Sequence, residues 1–439
     1  MPRSLASFAS SLALGLAVTA CASSPALRAA SHGDFASLKS DVVSRERAGT
    51  LGTRDAARLA RAVAEWEIAN APKGEQLARV REVRSCAREL AGTLDDRART
   101  HDAVGAEAAL ALVEANEWST GRARDSLGDK DDAWRAVGAR GLVRVDDDAA
   151  ARAHAFVDPA PAVRRAAMHA ALVAKDPHDL DILAEAARLD PELIVRTDAT
   201  RAIGAIGGAA AFSKLRDLWA NADDGQREDI ADAYAVPATR DAGGLDELRV
   251  LIAEGSGPSA IEAAGAILRG PAPAELAASA AALLARTIEK GSRRGRLHAI
   301  VVAPFTATGP IIDALRVAAT DGDLTVRVAV LARLASHSTD HDAAITSLET
   351  LAAPQGAPGH AGADALLASR ARLALAAAGD LRIQAWIEAD LASPEASARL
   401  SAATALSTLG RAGRAAPLLA DADPSVRTRA ACTILEGAR

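Results

Sequence analysis

The chain has 439 residues, of which 49% are apolar but only 3% are aromatic, and alanine makes up roughly a quarter of them. This apolar content suffices for a large core and excludes wholesale disorder, and alanine favours helices with close packing. The formal net charge is −6. The acidic charge and the shortage of aromatic side chains argue against nucleic acid as a partner.

The N-terminus has the pattern of an export signal over residues 1–20. Arg3 is followed by an apolar stretch that is too short to span a bilayer. The stretch ends in Val18-Thr19-Ala20-Cys21, which resembles the bacterial lipobox. The resemblance implies cleavage before Cys21, acylation at Cys21 and stable anchoring by several acyl chains. Ala22 favours the outer membrane by the same resemblance, with the protein facing the periplasm or the cell exterior. The alternative is an ordinary secretory signal.

Small and polar residues follow the lipobox. The composition of residues 21–34 predicts a flexible, lipidated tether. The other two cysteines, Cys86 and Cys432, lie far apart in the sequence, each within an apolar helical pattern. A disulfide is possible in an oxidising compartment, but the spacing does not support one, and we expect two buried free thiols.

A phrase of Asp, four residues, Val or Trp, and then Arg recurs about every 30 residues from position 129 onward. Small or apolar residues follow each Arg at helical spacing, and a second apolar run precedes most phrases. Each unit is therefore predicted to be helix, turn, helix, with about ten units over residues 129–439. The clear instances are Asp129/Arg135, Asp158/Arg164, Asp190/Arg196, Asp321/Arg327 and Asp421/Arg427, with looser forms at Asp364/Arg370 and Ser393/Arg399.

The phrase resembles the HEAT-repeat family, specifically the short repeats named after phycobilisome lyases. The resemblance implies an all-α fold, an α-solenoid of stacked antiparallel helical hairpins forming a HEAT-like superhelix. It also implies that second helices line a concave surface and that Asp and Arg of successive units form a structural polar ladder. The residues that match the ladder positions are Asp158, Arg164, Asp190, Arg196, Asp321, Arg327, Asp421 and Arg427.

Residues 35–128 lack the phrase but have long amphipathic patterns. They predict helices over Arg54–Asn70, Gln76–Leu94 and Asp102–Asn116. Because terminal units of a solenoid are commonly atypical, this region is either a set of divergent repeats or a separate helical cap.

Few residues form patterns typical of a catalytic or metal-binding site. Three His-Asp dipeptides, His101-Asp102, His178-Asp179 and His341-Asp342, lie near predicted helix starts, where Asp favours capping. We therefore predict no catalytic residue, no metal site and no cofactor. One basic cluster, Arg293, Arg294 and Arg296, is either a site for an anionic partner or a solvated turn.

These patterns favour a non-enzymatic scaffold, anchored to a membrane by lipid, that binds a protein or peptide through its solenoid surface. The alternative is an enzyme or enzyme accessory, such as a metal hydrolase or a lyase-like protein, built on the same solenoid. A third possibility is binding of cell-wall polymer. The identity of the partner and the face that binds it stay open.

Overall fold

A computed structural model describes residues 24–255, 257–307, 309–354 and 362–439. Within these residues all regular structure is helical, and none of it is β-strand. The predicted all-α solenoid is confirmed. Short 3₁₀ turns at Arg84–Cys86, Pro177–Asp179 and Leu381–Ile383, a π-helical turn at Arg240–Gly244 and a longer 3₁₀ helix at Ala412–Ala420 interrupt the α-helices.

The α-helices are short and follow one another closely. In the N-terminal half they are α1 Pro25–His32, α2 Phe35–Arg47, α3 Thr53–Asn70, α4 Gln76–Glu82, α5 Ala91–Ala98, α6 Ala103–Glu114, α7 Thr120–Arg124, α8 Asp132–Arg140, α9 Ala149–Phe156, α10 Pro161–Ala174, α11 Leu180–Leu189, α12 Leu193–Ile206, α13 Gly208–Trp219 and α14 Asp224–Tyr234. In the C-terminal half they are α15 Pro237–Thr239, α16 Leu245–Glu254, α17 Gly257–Arg269, α18 Ala274–Lys290, α19 Arg293–Val302, α20 Pro310–Ala318, α21 Leu324–Leu334, α22 His341–Ala352, α23 Ala365–Ala377, α24 Gln384–Asp390, α25 Ala396–Thr408 and α26 Pro424–Gly437.

From α3 onward the helices alternate between two layers. The second helix of each hairpin packs against the second helices of the neighbouring hairpins, in the order α4, α6, α8, α10, α12, α14, α17, α19, α21, α23, α25 and α26. The first helices contact each other less extensively, with α18 and α20 as the exception. Small residues permit the close approach of second helices. A Cβ added to Gly265 in α17 would lie only 2.7 Å from the Cβ of Val302 in α19.

The two ends of the solenoid meet. The last helix, α26, packs against α3 and also contacts α4 and the 3₁₀ turn that follows it. The second helices therefore form a closed circuit. Because the inner layer of a closed two-layered array has the shorter circumference, we assign the continuously packed second helices to the inside of the ring. The fold is an α-solenoid, as predicted, whose superhelix closes on itself.

Ring closure corrects the prediction of two free thiols. Cys86 and Cys432, whose positions are 346 apart in sequence, form a disulfide with their Cα atoms 5.3 Å apart. Polar contacts accompany it: Arg427 donates to Glu67 at 2.6 Å, and Arg439 donates to Glu89. Sequence spacing could not indicate this pairing, because only the closed circuit brings the first and last hairpins together.

Two segments differ from their predicted structure. Most of the expected flexible tether is ordered, because α1 covers residues 25–32 and buries Ala26 and Ala30. The expected helix Gln76–Leu94 is instead α4, a 3₁₀ turn and the start of α5. No glycine or proline marks this break. The apolar residues keep helical spacing on both sides of the break, so the sequence pattern does not indicate where one hairpin ends and the next begins.

Candidate functional site

The predicted ladder residues lie where each first helix turns into the second. The Asp of each phrase accepts a hydrogen bond from the backbone amide two residues later, which fixes the turn. The four accepted amides are those of Ala160, Glu192, Asp323 and Asp423, bonded to Asp158, Asp190, Asp321 and Asp421 at 2.7–2.9 Å.

The Arg of the phrase connects successive hairpins at regular positions. Arg164 donates to the backbone carbonyl of Asp158 in its own phrase and, through two N–H groups, to both oxygens of Asp190 at 2.7 and 2.9 Å. Although burial alone would raise the pKa of Asp190, the bonds from Arg164 and a backbone amide outweigh it and lower that pKa. Arg135 bonds Asp158 in the same way.

The ladder is interrupted where the repeats diverge. Among the described residues, Arg196 and Arg327 bond only to backbone carbonyls, because the next hairpin has Asn221 or Gly362 where a ladder Asp would stand. At the ring closure, Arg427 bonds Glu67 of the first hairpin.

The register predicted for the looser phrase Asp364/Arg370 was wrong. Asp364 caps α23 by accepting the amide of Leu367, two positions beyond the ladder register, and Arg370 is exposed. Arg372 is the buried arginine of this helix, and it donates to the carbonyl of Ala352.

The predicted basic cluster is largely neutralised. Arg293 pairs with Asp323 at 2.7 Å, and Arg296 pairs with Asp321. Of these three arginines, Arg294 is the one that is exposed and has no ion-pair partner among the described residues. The proposed lipidation site, Cys21, lies outside the described residues. Among the residues that are described, no helix is long and apolar enough to cross a membrane.

The three His-Asp dipeptides lie at the starts of helices in different hairpins. Asp102 caps α6 by accepting the amide of Gly105, and His341 and Asp342 are the first two residues of α22. The third dipeptide, His178-Asp179, forms the 3₁₀ turn before α11. The structure does not bring the three dipeptides together.

A buried ion-pair network surrounds the third dipeptide. Arg152, which is fully buried, donates to Asp176 and to Asp179 at 2.5 and 2.6 Å. Burial would raise the pKa of Asp176, but the amides of Asp146 and His178, the His178 ring and Arg152 together lower it to about 2. Asp146, Asp176 and His178 present ligand atoms within 4.8 Å of one another. Because Arg152 already compensates the carboxylate of Asp176, the group is organised as an ion-pair network.

A second ion-pair system, which sequence reasoning missed, follows the inner second helices. In its first part Arg84 of the turn after α4 pairs with Glu107 of α6 at 2.9 Å. Arg84 and Arg140 of α8 then approach Glu114 of α6 at 3.6 and 3.7 Å. The backbone carbonyl of His169 in α10 accepts a hydrogen bond from Arg140.

Further ion pairs follow across the next helices. Asp198 of α12 accepts from Arg165 and His169 of α10 at 3.0 and 3.1 Å, and Arg201 pairs with Asp229 of α14 at 2.9 Å. Further along, Arg269 of α17 pairs with Asp232 of α14, and Glu262 of α17 pairs with His298 of α19. We call this system the inner belt: Arg81, Arg84, Glu107, Glu114, Arg140, Arg165, His169, Asp198, Arg201, Asp229, Asp232, Glu262, Arg269 and His298.

Around Asp198 the inner belt has exposed arginines beside a buried acid. The side chains of Arg165 and Arg201 are 50% and 54% exposed, whereas Asp198 between them is 4% exposed. Burial alone would raise the pKa of Asp198, but His169 and Arg165 outweigh it and lower that pKa, so this carboxylate is ionised at neutral pH. This surface is therefore rich in guanidinium hydrogen-bond donors, and the positive charge of Arg165 is compensated by the buried carboxylate of Asp198.

A cleft of about 470 Å³ opens on the belt between α4, α6, α8 and α10. All its lining residues lie on or directly after second helices, and they include Arg81, Glu107, Arg140, Arg165 and His169. A signal in the sequence was available: Arg140, His169 and Arg201 each stand five positions after a ladder Arg. That spacing places an arginine or histidine on the helix face that bears the inner belt.

No protein-family description and no curated protein matches the sequence. Among solved structures, human deoxyhypusine hydroxylase in complex with glycerol is 19% identical, with a TM-score of 0.26, over 68% of this chain and 97% of that one. An engineered protein solved as a structural genomics target is 18% identical, with a TM-score of 0.27, over 73% of this chain and 98% of its own. Both TM-scores are low, so an argument about function has to rest on the chain's own residues.

Proposed function

We propose that the chain is an exported, lipid-anchored scaffold of HEAT type that binds a protein or peptide on the inner belt. The lipobox residues ending in Cys21 support the anchor. The Cys86–Cys432 disulfide supports export independently, because disulfides persist in oxidising compartments and are rare in the cytosol. The phrase of Asp and Arg, with its pairing between successive hairpins, supports the assignment to HEAT-type repeats.

The observation that best supports binding on the inner belt is the exposure of the Arg165 and Arg201 guanidinium groups. Arg165 uses one N–H for Asp198, and Arg201 uses one for Asp229. Each guanidinium has five N–H donors, so most of them remain available. A partner rich in acceptors, such as an extended peptide with backbone carbonyls and carboxylates, matches this surface. A repeat array offers such a surface without needing a catalytic constellation.

Site-specific photocrosslinking in the native membrane tests the partner. A photoreactive amino acid at Arg165 or Arg201 is expected to give a discrete protein adduct. The same amino acid at Asp217, which is exposed on the first-helix layer in α13, serves as the control. Adducts at Asp217 alone, or none at either belt position, would refute binding on the inner belt.

Metabolic labelling with an acyl precursor tests the anchor. The Cys21→Ser variant is expected to lose both label and membrane retention. A Cys86→Ser, Cys432→Ser variant retains Cys21 and is expected to stay labelled, which controls for acylation elsewhere. Unchanged labelling of Cys21→Ser would rule out the lipid anchor.

A further inference from the structure

The first ordered helix fixes where a lipid anchor would hold the ring. Ser24 caps α1 by accepting the amide of Leu27, and α1 packs against α3. Only two residues separate Cys21 from Ser24. Three residue steps of the chain reach at most about 11 Å. An acylated Cys21, which this inference takes from the proposed function, therefore brings the bilayer to the edge of the ring beside α1.

This edge carries a concentration of exposed arginines. Arg54, Arg58 and Arg61 follow one face of α3 and line a cleft of about 590 Å³ together with Leu27 of α1. An adjoining cleft of about 490 Å³ is lined by Arg47 at the end of α2 and by Arg411 before the last hairpin. Thr53, the first residue of α3, lines both clefts, so the two sets of arginines are neighbours. We call Arg47, Arg54, Arg58, Arg61 and Arg411 the anchor-side patch.

The charge of the patch is largely uncompensated. Of its arginines only Arg58 has an ion-pair partner within the described ranges, Asp55 at 4.0 Å, and Asp55 also pairs with Arg45. The nearby Glu46 is paired with Arg414, which leaves Glu65 as the unpaired acid of the clefts. On the inner belt, by contrast, Arg165 lies against the buried carboxylate of Asp198. The patch is thus locally basic in a chain whose net charge is −6.

We infer that the anchor-side patch docks on an anionic phospholipid surface. The bilayer lies within reach of the patch, and the two have opposite charges. Each Lys or Arg near an anionic membrane surface adds measurably to binding, and the attraction falls off within a Debye length. Lipidation supplies the attachment, and the patch sets which edge of the ring faces the lipid.

Vesicle co-sedimentation of the mature chain carrying Cys21→Ser tests this docking without acyl chains. Vesicles of phosphatidylcholine mixed with phosphatidylglycerol are expected to bind the protein at low ionic strength. Vesicles of phosphatidylcholine alone are expected not to, and added salt is expected to abolish binding. The patch variant changes four unpaired arginines to Gln: Arg47, Arg54, Arg61 and Arg411. We expect its partition onto the anionic vesicles to fall at least roughly tenfold.

A matched control removes the same number of charges elsewhere. Four exposed arginines without an ion-pair partner in the described segments are changed to Gln: Arg188, Arg286, Arg294 and Arg370. The control variant is expected to bind like the parent, and urea denaturation of both variants verifies folding. An equal loss of vesicle binding in the patch and control variants, or no loss in the patch variant, would overturn the docking.

Acyl labelling of the wild-type chain separates this inference from the proposed function. If Cys21 is labelled but the patch variant binds anionic vesicles as well as the parent does, the docking is refuted and the lipid anchor stands. Patch-dependent binding without any label at Cys21 keeps the docking and refutes the anchor.

Discussion

Replacing Cys86 and Cys432 with serine is expected to open the ring at its closure. The disulfide joins positions 346 apart. In the chain-entropy model a cross-link of that length stabilises the folded state by about 6 kcal/mol, whereas measured disulfides typically contribute about 2–4 kcal/mol. We therefore expect a loss of about 3–6 kcal/mol. Because a repeat array holds together through nearest-neighbour interfaces, the loss should be concentrated where α26 meets α3.

Urea denaturation and amide hydrogen exchange measure this effect. The serine variant is expected to denature at lower urea concentration and to lose protection in α26 and α3, while α12, far from the closure, keeps its protection. Reductant should convert the wild-type protein to the same behaviour and leave the variant unchanged. An unaltered urea midpoint together with unaltered protection of α26 would refute the idea that the disulfide holds the ring closed.

Three further predictions concern stability and are checked by urea denaturation. Arg164→Ala leaves the buried carboxylate of Asp190 without its ion-pair partner, and we expect it to lower the free energy of unfolding by about 3–5 kcal/mol. Arg196→Ala loses only hydrogen bonds to backbone carbonyls, and we expect it to lower the free energy of unfolding by about 2 kcal/mol. An equal loss in Arg164→Ala and Arg196→Ala would contradict the stabilising role of the Arg164–Asp190 pair. The pKa of Asp176 is about 2 in the folded chain against an ordinary 3.8. Its stabilisation is therefore present above about pH 4 and lost as the pH falls through about 2, and a parallel pH profile in Asp176→Asn would refute this. Gly265→Val should destabilise by about 1–3 kcal/mol. The control Gly92→Ala should be neutral or stabilising, because a Cβ added at Gly92 has no other atom within 4 Å.

Periodicity predicted the helices well wherever a turn residue or a polar phrase separated them. The predicted helix Asp102–Asn116 contains α6, Ala103–Glu114, and the predicted helix Arg54–Asn70 is α3 with one more residue at its start. The failure over Gln76–Leu94 has a physical reason. Two helices that belong to successive hairpins bury their apolar residues in the same core, so the spacing continues through a turn that needs no glycine.

The polar sites divide in a similar way. Pairs that link one phrase to the next, such as Arg164 with Asp190, were expected from the resemblance of the phrase to HEAT repeats. The inner belt could not be assembled from the phrase. Arg201 and Asp229 pair because α12 and α14 are neighbours in the ring, and that adjacency follows from the tertiary fold. The pairing of Cys86 with Cys432 depends on the closed circuit for the same reason.

The position of the disulfide also determines when it can form. Synthesis proceeds from the N-terminus, so Cys86 emerges 346 residues before the cysteine with which it pairs. A chain that ends anywhere before α26 lacks the second cysteine and leaves Cys86 with a free, oxidisable thiol. In the folded chain both cysteines are buried, with 0% and 3% of their surface exposed. Oxidation of this pair therefore marks a polypeptide that has been extended through α26, and thiol reactivity distinguishes it from products that end earlier.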